Sequence, residues 1–70
     1  MNDNLDLAAN AQELADAAPA GSVDRAAASS VAITLATTRD IAQARRTLDG
    51  LSPEEVREAA LALFDRLSAR

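Results

Sequence analysis

More than half of the apolar side chains in this protein are single methyl groups. Eighteen residues are alanine, against nine leucines, three valines, two isoleucines, one phenylalanine and one methionine. Each methylene that alanine lacks forgoes about 0.8 kcal/mol of burial. A chain of 70 residues also buries only about 60 % of its unfolded surface. Domains this small lean on a disulfide, a metal or a second chain. The sequence has no cysteine and no histidine, which removes the first option and any thiolate or imidazole metal site. Association remains, so the composition predicts a homodimer.

The same absences bear on chemistry. Without His, Cys or Lys, the usual general bases and most activated nucleophiles are missing. The five serines have no such base to activate them. The expectation is a non-enzyme with no cofactor and no metal.

Net charge is −4, unevenly placed. Residues 1–24 hold five acids (Asp3, Asp6, Glu13, Asp16, Asp24) and no base, whereas residues 25–70 hold all seven arginines and six acids. Such a balance disfavours non-specific nucleic-acid binding and anionic membranes. The longest uncharged run, the thirteen residues from Ala26 to Thr38, is too short and too polar to span a bilayer. No basic, then apolar leader opens the sequence. A cytoplasmic protein with no membrane partner is expected.

Hydrophobic spacing divides the chain into three segments of one domain, residues 1–70. In the first, Leu7, Ala11, Leu14 and Ala18 recur at helical spacing. Asp3 or Asn4 suits its cap, Asp6 its first turn, and Pro19-Ala20-Gly21 its end. This acidic N-terminal helix within residues 1–21 is marginal alone and must pack or fray. The second segment runs from Ser22, a suitable N-cap, to Asp49, with Gly50 at C′. The third opens on Ser52-Pro53-Glu54-Glu55, with serine at N-cap and proline at N1. Val56, Ala60, Leu63 and Leu67 form its stripe, widened by Ala59 and Phe64, and Arg70 suits its C-terminal dipole.

Residues 26–38 support two readings. Read as a helix, Ala28, Ala32 and Ala36 align at i, i+4 and i+8 beside Val31 and Leu35. Segment two is then one helix of about 28 residues, roughly 42 Å long. Shorter neighbours cannot cover it, so it pairs with a second chain. This is the leading fold: all-α, a small three-helix hairpin or bundle with a long central helix, residues 22–70 forming the hairpin core. Ala28, Val31, Ala32, Leu35 and Ala36 are its interaction face.

Read as a strand, Val31, Ile33 and Leu35 alternate with Ala32 and Thr34 at period two. A fresh helix start follows at Thr37-Thr38-Arg39-Asp40, where Thr37 and Asp40 have capping-box spacing. With a strand at 31–35, a helix from Thr38 to Asp49, a turn at Gly50-Leu51-Ser52 and a helix from Pro53 to Ser68, the layout resembles a ribbon–helix–helix regulator. That resemblance implies a DNA-binding repressor or antitoxin whose paired strands enter the major groove. Thr34 would then meet bases and Arg39 the backbone. Ser30, Ala32 and Thr34 occupy the groove-facing positions, where the family usually places Arg, Lys, Asn or Gln.

Two charge clusters remain. Asp3/Asp6 and Glu54/Glu55/Glu58 read as solvated faces and helix-dipole partners rather than a metal site, which needs converging oxygens and a turn glycine. Arg39, Arg45 and Arg46 form a basic cluster. A helix would put Arg39 and Arg46 on one face, ready for phosphate or an acidic partner. Taken together, the leading reading is a non-catalytic regulatory or adaptor protein that acts by helix-mediated dimerisation and by binding a protein partner.

Overall fold

The computed structural model describes residues 4–68. The cap assigned to Asp3 or Asn4 and the dipole role of Arg70 fall outside its described backbone or side chains. The described chain is all-α: α1 (Asn4–Ala17), α2 (Val23–Thr37), α3 (Ile41–Leu48) and α4 (Glu54–Ser68). No strand occurs among the described residues.

The α1–α2 turn follows the local chemistry. Pro19-Ala20-Gly21 breaks the chain out of α1, and Gly21 takes a φ of +82°, a region that costs any residue with a Cβ. Ser22 is the N-cap of α2, its Oγ accepting from the Arg25 amide and donating to the Pro19 carbonyl.

Segment two is not one helix, which corrects the long central helix. Thr38 is extended at φ −110°, ψ 162°, and Asp40 caps a new helix by accepting from the Gln43 amide at 2.8 Å. Gln43 Oε1 in turn accepts from the Arg39 amide at 2.9 Å. The capping pair is therefore Asp40 with Gln43, three residues beyond the expected Thr37 with Asp40. Two threonine hydroxyls help close α2: Thr37 Oγ1 donates to the Ile33 carbonyl and Thr38 Oγ1 to the Thr34 carbonyl. Such side chains compete with the helical ladder. Burial supplies the other reason. After the break α3 folds back and buries Ala44 and Leu48 completely. The molecule spans only 32 Å along its longest axis, less than the roughly 42 Å such a helix would need.

Residues 31–35, the strand of the ribbon–helix–helix layout, lie inside α2. Helix wins because Val31, Ala32, Thr34 and Leu35 then share one buried face with Ala27 and Ala28. A strand would send alternate side chains to opposite faces.

Among the described residues the core holds fifteen apolar side chains, eight of them alanine, around Phe64, Leu35, Leu48 and Val31. On α4 most of the expected stripe is inside: Ala60, Leu63, Phe64 and Leu67 are buried, with Ala59 packed beside them, while Val56 is only half-buried. The helix starts one residue later than the serine cap implies, because its first hydrogen bonds, from Val56 and Arg57, go to the Pro53 carbonyl. On α1 the inward face is Leu7, Ala8, Ala11 and Ala15. Leu14, expected inside, is 42 % exposed. The rotation turns a methyl-lined face to α2, α1's main packing partner, and small residues let two helices approach closely.

Gly50 follows the C-cap Asp49, as expected of a C′ residue, but its φ is not positive. A Cβ there would meet the Thr47 carbonyl oxygen at an ordinary 3.7 Å. The two glycines should therefore respond oppositely. Gly50→Ala is expected to stabilise by about 0.4–1 kcal/mol by restricting the unfolded chain. Gly21→Ala is expected to destabilise by about 1–2 kcal/mol through its left-handed backbone. Urea midpoints of the two variants measure this, and equal shifts would contradict the backbone assignment.

Candidate functional site

The expected interaction face is spent on the chain's own core. Ala28, Val31, Ala32 and Leu35 are each 5 % exposed or less, and only Ala36 of that set reaches solvent. The structure thus corrects that site: a side chain already buried against α1 and α4 has no surface to offer another molecule. Thr34, the expected base contact, is likewise buried at 5 % exposure.

The arginines are not gathered as expected either. Arg39 stands in the linker before the Asp40 cap rather than on α3, so the break removes the shared helical face with Arg46. Both are exposed. Arg45 pairs with Asp65 of α4. With both side chains more than half exposed, this pair contributes at most about 1 kcal/mol. Its role is to tie α3 to α4. Among the described residues, no three acidic side chains come together in a way that could hold a metal ion. No described helix is long and apolar enough to cross a membrane.

What the packing creates instead is a groove of about 430 Å³ where α1, α2 and α4 meet. The end of α1 contributes Leu14 and Ala17, followed by Ala18; the start of α2 contributes Asp24, Ala27 and Ala28. From α4 come Ala59, Ala62, Leu63 and Arg66. Six of these ten lining residues are alanine. The groove exists for that reason: α1 and α4 both lie on α2, and the side chains meeting between them are too short to close the gap.

Polar groups mark its rim. Asp24 lies in the first turn of α2 and Arg66 in the last turn of α4, each matched to its helix dipole. Among the described residues the ion pairs are Arg45–Asp65 and Arg57–Glu54, so the two rim charges are not spent on each other. The Arg25 guanidinium reaches back to the Ala18 carbonyl and braces the α1–α2 turn at the groove's end.

Sequence reasoning missed this groove because its walls come from three separated segments. A signal was present: Ala17-Ala18, Ala27-Ala28, Ala59 and Ala62 fall near helix stretches that must pack together. An apolar cleft of this size with few polar groups lies in the range of ligand and peptide sites, roughly 300–1,000 Å³.

No known protein family, curated protein or solved structure matches the chain significantly.

Proposed function

We propose that this is a non-catalytic regulatory or adaptor protein that works through helix faces, by self-association and by taking a protein partner. The groove between α1, α2 and α4 is the observation that carries the reading. Its alanine walls present shape and apolar surface, with an acid and a base at the rim. That is the complement of an amphipathic helix, whose large side chains at i, i+3 or i+4 and i+7 fill such a cleft. The expected occupant is a helical segment with two or three bulky aliphatic or aromatic residues, bordered by charges of both signs. Alanine in the walls also keeps the loss on burial low, because a methyl group has no rotamers to freeze.

The test uses helical peptides selected by display against the intact chain. Their amide shift perturbations should map to Leu14, Ala27 and Ala62. Ala62 is exposed within α4, so Ala62→Glu should leave the fold intact. It should weaken peptide binding at least tenfold, about 1.4 kcal/mol, because a carboxylate would have to be dried in the groove. Peptides that perturb other surfaces, or bind Ala62→Glu equally well, would overturn the reading.

A further inference from the structure

A second surface lies on the other side of α2. Counting along the helix, Val23, Ala26, Ser30, Ile33 and Thr37 recur at 3-4-3-4 spacing, the repeat of a coiled-coil seam. These positions point away from the buried face of Ala27, Ala28, Val31, Ala32, Thr34 and Leu35. Val23, Ala26, Ile33 and Thr37 are open to solvent and Ser30 is half-buried; Val23 is 41 % exposed and Ile33 64 %, two of the five large apolar residues so exposed among the described residues. No charged residue occurs from Ala26 to Thr38. The other helices differ. Exposed positions on α1 include Glu13 and Asp16, on α3 Arg45 and Arg46, and on α4 Glu58 and Asp65.

We infer that this seam is a homodimer interface, with α2 of two copies packed antiparallel about Ser30. The side-chain sizes along it are self-complementary. An antiparallel register centred on Ser30 sets Ile33 of one copy beside Ala26 of the other, one residue from direct opposition, on both sides of the two-fold axis. Val23 meets Thr37, and Ser30 meets Ser30. Large faces small at both Ile33–Ala26 contacts, where each isoleucine is a knob for a hole in the facing helix. The charges of α2, Asp24 and Arg25, lie in its first turn, and Ala26 to Thr37 carry none. Helix dipoles are opposed, and no like charges meet along the seam. A two-fold contact of this kind is closed and uses one patch twice.

The inference rests on the proposed action through helix faces but uses a surface away from the groove. A 15-residue helix is only about 22 Å long. The seam therefore covers less than the roughly 800 Å² per partner of a standard interface. The dimer is accordingly weak, with a Kd on the order of 10–100 μM, and exchanges with monomer.

Sedimentation velocity across that concentration range should show the mass rising from one chain of 7.3 kDa towards two. Ile33→Glu should hold the protein monomeric throughout. Its far-UV circular dichroism should be unchanged when dilute, since Ile33 is outside the core. Register is read separately by Ser30→Cys in this cysteine-free chain. Under mild oxidation it should cross-link at least tenfold faster than Gln12→Cys on the exposed side of α1. A monomer at every concentration, a dimer indifferent to Ile33→Glu, or equal cross-linking rates would overturn the interface. Ala62→Glu should leave dimerisation untouched, and Ile33→Glu should leave peptide capture untouched. Failure of the seam and failure of the groove are thereby told apart.

Discussion

Phe64→Ala is expected to unfold most of the protein at 37 °C. Phe64 is the largest fully buried side chain, 1 % exposed, and the one aromatic residue in the sequence. Phenylalanine-to-alanine truncations in cores cost about 3–5 kcal/mol, the sum of lost transfer energy and the cavity left behind. At about 0.05–0.15 kcal/mol per residue, a chain of 70 residues holds stability of much the same size. Neighbouring alanines cannot swing in to fill the space, because they have no side-chain torsions that move heavy atoms. Chemical denaturation followed by circular dichroism measures the change. A loss under about 1 kcal/mol would mean that Phe64 does not anchor this core.

The second large effect is a contrast between two alanines one turn apart. Ala32 is 5 % exposed, whereas Ala36 is exposed. Ala32→Glu must either dehydrate a carboxylate or hold it protonated at neutral pH, at a cost of several kcal/mol. Ala36→Glu places the same group in water and should change stability by no more than about 0.5 kcal/mol. Thermal melts at low protein concentration separate them. Ala32→Glu should lose its cooperative transition and Ala36→Glu should keep it. Similar melts would show that the inner face of α2 is drawn on the wrong side.

The same contrast explains why the candidate site was misplaced from sequence. Ala28, Ala32 and Ala36 form a regular stripe, and Val31 and Leu35 run beside it, so the five looked like one surface. Four of them are one buried surface, but the face belongs to the chain's own core. Their spacing shows that the residues share a side of a helix. It does not say whether α1, α4 or another molecule covers that side. The outward seam of α2 is written in other residues of the same helix, at the complementary phase.

Local chemistry by itself determined where most helices begin and end. Ser22 caps α2, Pro19 to Gly21 stop α1, and Pro53 opens α4, because each of these acts within three or four residues of itself. It also determined the inner face of α4, where Leu63, Phe64 and Leu67 are large enough to leave one economical way in. Tertiary structure alone decided the rotation of α1 that exposes Leu14 and the existence of the groove, and at Thr38 it chose between two readings that local signals allow. Alanine is the common reason. A methyl group gains so little from burial that it fits either side of a helix. The side chosen is then set by the neighbour that packs there, and that neighbour is distant in the sequence.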